Sequence, residues 1–197
     1  VSGFGRTGKM FGHEHWGAKG DIFTFAKGMA SGYMPVAATV VKENIFEAFY
    51  GEANELKHFR HVNTYGGHPV AAAVSLKNIE IVERENLVAN AAKMELYIKA
   101  GLNEFVDHPF VGEIRGKGLL LGIELVSDKE SKTPLETARS NAIVQNCMKQ
   151  GVHVMRNGFT VPGLDNVLIT APPLVLQESE ADMILDAIGN ALKQALN

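Results

Sequence analysis

The sequence predicts an α/β chain in two unlike parts. Three observations point there: Gly-punctuated apolar strands near the start, an alanine-rich helical stretch from Pro69, and a later strand–helix alternation closed by an amphipathic helix. At 197 residues with 46% apolar content the chain is large enough to bury a substantial core, so a globular fold is expected.

In order along the chain, GFGRTG is a glycine turn of the kind that follows a strand. DIFTFAKG then predicts a short strand, Ile22 to Ala26, with Lys27 at its end. A Gly/Ser/Pro loop and a second strand near Val36 to Val41 follow. ENIFEAF predicts a brief helix, and GEANELKHFRHVNTYGGH a loop. Pro69 suits the first position of a helix, where no amide hydrogen is needed, and that helix runs to about Glu83. Asn86 is placed to cap a second helix, on which Ala91, Met94, Ile98, Leu102 and Phe105 mark one face.

After His108-Pro109 the pattern becomes strand, strongest at LLLGIELV, Leu119 to Val126. Thr133-Pro134-Leu135-Glu136 has the form of a capping box opening a helix that ends at Gly151. VHVM and VLIT predict strands, and Ala181, Ile184, Leu185, Ile188 and Leu192 predict a final amphipathic helix. Arg115, in EIRGKG, reads as a turn residue with no catalytic role.

The composition excludes several function classes. A net charge of -3 offers no basic field for nucleic acid or acidic lipid. One cysteine, Cys147, cannot form an internal disulfide framework or a thiolate metal site, which fits a reducing cytoplasm. The seven histidines, His13 and His15 included, fall at no metal-ligand spacing, so no metal is expected. There is no leader pattern and no run of about 18 apolar residues within this sequence, so a soluble chain is expected, with any targeting segment upstream of Val1 left open. A G-x-S-x-G elbow and the two glycine-spaced phosphate signatures are absent.

Three residues carry candidate chemistry. Lys27 follows an apolar strand and precedes small residues, a setting where a desolvated lysine can lose its proton and attack a carbonyl. Taken alone it also fits a solvated lysine closing a strand. Thr64, in TYGGHP, offers a hydroxyl beside two glycines at a helix N-terminus, a place that suits phosphate or merely an ordinary loop. Arg156 follows VHVM and precedes Asn157-Gly158, so its guanidinium either binds a carboxylate or lies on the surface.

GFGRTG, DIFTFAKGMASGYMP, HVNTYGGHPVAAA, IRGKGLLLGIEL and APPLV, in that register, resemble the class III pyridoxal-phosphate aminotransferases over the whole chain. The likeness is greatest to the ω-amino acid to pyruvate branch, through RHVNTYGGHPVAAA and MRNGFTVPGLDNV. The resemblance implies fold type I, with residues 1–75 a remnant of the large cofactor-binding domain, 76–107 the linking helices and 108–197 the complete small αβ domain. It implies pyridoxal 5'-phosphate as cofactor and Lys27 as its Schiff-base lysine. Thr64 would then reach the cofactor phosphate of a dimer partner, and Arg156 would pair with the substrate carboxylate. The implied reaction moves an amino group from an ω-amino acid or amine donor to pyruvate or a similar 2-oxo acid, in a cytoplasmic homodimer or higher homo-oligomer.

In that family GFGRTG follows a strand and an Asp-Glu-Val turn whose aspartate pairs with the cofactor's ring nitrogen. These residues lack that aspartate, the aromatic that stacks on the ring and about half of the large-domain sheet. The chain is therefore expected to be the C-terminal part of a longer enzyme and inactive alone. The alternatives are an inactive fragment or truncated product, or an aminomutase, racemase or decarboxylase of the same fold.

Overall fold

In the computed structural model, residues 1–158 and 161–196 are described; Phe159 and Thr160 of the MRNGFTVPGLDNV loop lie outside them. The first third of the chain is sparse in regular structure. The GFGRTG turn leads into a 3₁₀ turn at Gly12–Trp16, which holds both His13 and His15 where a loop is expected. Strand β1, Ile22–Phe25, pairs antiparallel with β2, Ala38–Val41, as a two-stranded ribbon. A single-turn helix, α1, covers Glu43–Glu47, and the expected loop beyond it contains one 3₁₀ turn at Ala53–Glu55. Through these residues the large apolar side chains are mostly open to solvent: Trp16, Ile22, Tyr33, Phe46, Phe59 and Tyr65 are all exposed. The ribbon's aromatic face instead forms a local cluster, in which Phe11 and Phe25 lie 5.0 Å apart and Phe4 meets both edge-on.

Helix α2, Pro69–Arg84, begins at the expected proline, and α3, Leu87–Asn103, follows after two residues. Asn86 occupies the cap position of α3 but makes no side-chain capping bond. What it supplies is a left-handed backbone (φ 53°), which asparagine tolerates better than most residues. The periodic face of α3 is buried at Ala91, Met94, Ile98 and Leu102.

The remaining residues build an antiparallel sheet: β3, Val111–Lys117; β4, Leu120–Asp128; β5, Thr133–Pro134; β6, Met155–Arg156; and β7, Val167–Thr170. The order is β3-β4-β7-β6, with β5 pairing the far end of β4. Leu121, Ile123 and Leu125 alternate along β4 into the core. They meet α3, the helix α4 (Thr137–Lys149) through Ile143 and Cys147, and the helix α5 (Glu178–Gln194) through Ile188 and Leu192. Each such fully buried side chain contributes about 1.5–3 kcal/mol, so this sheet and its three helices hold the bulk of the apolar stabilisation.

Of the expected strand VHVM only Met155 joins one, β6, and two further expectations fail. Thr133-Pro134 opens no helix. Pro134 pairs with Val126 in an edge strand, where a missing amide is tolerated, Leu135 buries beside it, and α4 starts three residues later. Arg115 lies in β3, not a turn, and forms ion pairs with Glu113 and Glu124.

The first residues approach the small sheet closely at the β3–β4 turn. Gly118, in the β3–β4 turn, sits at φ 55°, and the Leu119 amide donates to the Arg6 carbonyl at 2.9 Å. The Arg6 guanidinium in turn donates to the carbonyls of Leu119 and Pro172. Glu95 of α3 accepts from the Gly118 amide at 2.6 Å and holds Lys99 at 2.7 Å.

Candidate active site

Where β1 ends, the backbone reverses sharply. Ala26 is fully extended, Lys27 enters the left-handed region at φ 53°, and a 3₁₀ turn, Lys27–Met29, carries the chain inward to buried Met29 and Ala30. A lysine there lacks the local hydrogen bonding that eases Asn or Asp into this conformation, so the turn stores strain of about 1–2 kcal/mol. It is held from outside: the Asn78 side-chain amide, on α2, donates to the carbonyls of Gly28 and Met29 at 2.9 and 3.1 Å.

Lys27 lines a cleft of about 510 Å³ with Phe4, Arg6, Ser31, Tyr33 and Asn78. Phe4 and Ser31 also have positive φ, so three of the six described non-glycine residues in that conformation border one cavity. The ε-amine has no hydrogen bond or ion pair with any described residue. Lys27 is exposed in the structure of these residues. No carboxylate lines the cleft among the described residues. The Arg6 guanidinium is pulled below its ordinary value by burial.

Thr64 is not in this cleft. It is exposed in the turn ahead of α2, where the Gly66 amide donates to Asn63 and Gly67 takes φ 68°. The His68 ring accepts from the Ala71 amide, and the Thr64 hydroxyl has no partner among the described residues.

Arg156 lies elsewhere again, at the end of β6, and it is occupied. Its Nε donates to Asn141 Oδ1 of α4 at 3.1 Å, and its Nη1 donates to both the carboxylate and the main-chain carbonyl of Asp165. The guanidinium holds the Asp165 carboxyl below the usual carboxylate range, against desolvation and with help from the Thr137 hydroxyl. One copy of the chain therefore does not gather the three expected residues around a single cavity.

Sequence reasoning missed Asn78, Asn141 and Asp165. For Asn78 a signal existed: Ala71, Ser75, Asn78 and Val82 share one helical face, and an amide on a face that buries needs partners. Among the described residues no group of three His, Cys, Asp or Glu could hold a metal, and no helix is long and apolar enough to cross a membrane.

Comparison with known proteins gives consistent results. The aminotransferase class-III family pattern matches residues 1–192. An uncharacterized aminotransferase of Bacillus subtilis is 46% identical over 95% of this chain and 42% of its own length. A taurine–pyruvate aminotransferase of Rhodobacter capsulatus is 40% identical over 98% of this chain and 43% of its own. The crystal structure of a Bacillus anthracis aminotransferase superposes with a TM-score of 0.94 at 46% identity, covering 98% of this chain and 43% of that one. The chain thus spans a little over two-fifths of the length of the relatives it matches.

Proposed function

The chain belongs to the class-III aminotransferase family, and on that premise we propose that the protein carrying it transfers an amino group from an ω-amino acid or amine donor to pyruvate or a similar 2-oxo acid. The taurine–pyruvate relative supports this substrate pair. Aminotransferases of this family use pyridoxal 5'-phosphate, and the residues present fit it in part. An unpaired ε-amine on a strained turn at a cleft fits the cofactor's aldehyde, and a free hydroxyl with two glycines before a helix fits its phosphate. No described residue of the cleft supplies an acidic partner for the ring nitrogen.

Lys27 would hold the cofactor covalently and, once released, its neutral amine would take the proton from the donor's α-carbon and return it during the second half of the cycle. Bound pyridoxal phosphate supplies the electron sink that makes that carbon acidic. Thr64 would donate its hydroxyl to the phosphate in a partner subunit, which agrees with its position outside its own chain's cleft. Arg156 would bind the substrate carboxylate. Residues 1–75 would serve as part of the cofactor domain, 76–107 as the linking helices and 108–197 as the small domain, in a cytoplasmic homodimer.

The observation that carries this reading is the unpartnered Lys27 amine on its strained turn. Borohydride reduction of the holoenzyme followed by peptide mass spectrometry should place the cofactor on Lys27, and Lys27→Ala should abolish transamination with the fold retained. Label on another lysine would overturn the assignment.

A further inference from the structure

We propose that Asn78 is a positioning residue for Lys27: by donating to both carbonyls that the turn after Lys27 leaves unclaimed, it holds the left-handed backbone from which the ε-amine works. Its loss then slows proton transfer far more than it weakens the binding of substrate or cofactor. The inference rests on Lys27 being the lysine that carries the cofactor and moves the proton.

Three carbonyls of the turn are satisfied by main chain. Ala26 accepts from the Met29 amide at 3.2 Å, Lys27 from the Ala30 amide at 3.2 Å, and Ala30 from the Tyr33 amide at 3.0 Å. No main-chain amide among the described residues donates to the carbonyls between them, those of Gly28 and Met29. These are the two that the Asn78 Nδ2 group takes, at 2.9 and 3.1 Å. With Met29 and Ala30 buried, carbonyls left unpaired there would be costly, and Asn78 completes the set. Because both partners are acceptors, the orientation of its amide is fixed.

A primary amide suits this place better than other donors. One nitrogen with two hydrogens meets two successive carbonyls at once. Lysine or arginine would do so only by setting a second cation in the cleft that Lys27 lines, and an ionised carboxylate would donate nothing and favour the charged amine. Asn78 adds no charge to the cleft. It also stands on regular structure, in the body of α2 on the face that buries Ser75 and Val82.

The backbone at Lys27 is what the two bonds protect. A lysine at φ 53° is held against its own preference, so without those bonds the commoner negative-φ conformations gain on it by about ten- to a hundredfold. Attachment of the cofactor tolerates such a shift, because a long flexible side chain can still reach. Proton transfer does not, since a misplacement of about 1 Å costs up to about a hundredfold in rate.

The test uses the complete enzyme loaded with pyridoxal phosphate and follows a single turnover of alanine, the product of pyruvate amination, run in reverse to pyruvate. In Asn78→Ala the rate constant should fall about ten- to a hundredfold, with the amplitude kept and the affinities for alanine and cofactor within about threefold of the parent. Alanine deuterated at its α-carbon should be slower still in the variant, which marks the slowed step as proton transfer. A merely structural role would instead lower the amplitude, through loss of loaded protein, and leave the rate constant alone. A second readout needs no turnover: in the resting loaded protein the Ala30 and Tyr33 amides should exchange hydrogen about tenfold faster in Asn78→Ala, with buried Ile98 unchanged. If Lys27→Ala still converts alanine to pyruvate, the lysine reading itself fails. If Lys27→Ala is inert while Asn78→Ala keeps the parent's rate constant, or slows with no deuterium effect, only the positioning role is overturned. Should Asn78→Ala not fold, Asn78→Asp, of the same size and without a donor while ionised, is measured in the same way, and a parental rate constant overturns the role equally.

Discussion

Replacing Gly118 with alanine should detach the first residues of the chain from the small sheet. An added Cβ would lie 2.4 Å from the Thr7 carbonyl carbon, 2.5 Å from the Arg6 oxygen and 2.6 Å from the Gly8 nitrogen. All three are main-chain atoms, so no rotamer change relieves the clash. Holding alanine at a left-handed φ costs about 1–2 kcal/mol. Forcing a methyl into filled space typically costs a further 1–3 kcal/mol or so. The sum, roughly 2–5 kcal/mol, matches what would be lost if the turn withdrew instead: the Leu119–Arg6 and Gly118–Glu95 hydrogen bonds, the latter charge-assisted. For a chain of this size that corresponds to a fall in Tm of roughly 5–15 °C. Calorimetry of the protein carrying Gly118→Ala measures the shift, and limited proteolysis shows where it acts. Cleavage should rise within residues 1–20, while the core around Met94, Ile123 and Ile188 stays protected. A Tm within about 1 °C of the parent would refute the reasoning, because a 2.4 Å contact with main chain cannot be absorbed for a few tenths of a kcal/mol.

Further outcomes follow from the same region and the core. Burial pushes the Glu95 carboxyl up, but the Lys99 ammonium and the Gly118 amide together leave it below its ordinary value. Its stabilisation is therefore present above the unfolded carboxylate pKa and lost as pH falls through the lower folded value. The Tm gap between parent and Glu95→Gln should be widest near neutrality and close below about pH 4; a gap independent of pH would refute this. Cys147 is fully buried, and desolvation raises its thiol to about 11. It should react with a disulfide reagent at pH 8 more than about a hundredfold faster in denaturant than in the native protein, and prompt native labelling would contradict its burial.

Where local pattern and tertiary burial agree, the sequence is readable. The stripe Ala91, Met94, Ile98 and Leu102 and the alternation Leu121, Ile123 and Leu125 both became core. Thr133-Pro134-Leu135-Glu136 misled because the motif reads locally as a helix cap while Thr133 and Pro134 pair as an edge strand, Leu135 buries beside β4, and the cap position falls to Glu136. The Lys27 and Arg156 settings were visible as strand ends. Their partners were not, since Asn78 is fifty residues from Gly28 and Asn141 fifteen from Arg156, and no local spacing encodes such pairings. Thr64 was legible as a turn before a proline-led helix, but its distance from the Lys27 cleft depends on how the loop after α1 runs.

The two bonds from Asn78 have a mechanical meaning for Lys27. In the role proposed for it, Lys27 would hold a cofactor and carry a proton, so it would have to let go and reach again, and such motion can come from the backbone or from the side chain. With the carbonyls of Gly28 and Met29 hydrogen-bonded to a helix, the backbone share is restrained. The nitrogen then travels only as far as four methylenes allow, on an arc whose centre does not drift. In the role proposed for Lys27 the side chain would then return to the same place each turnover, on a footing supplied by an amide half a hundred residues downstream.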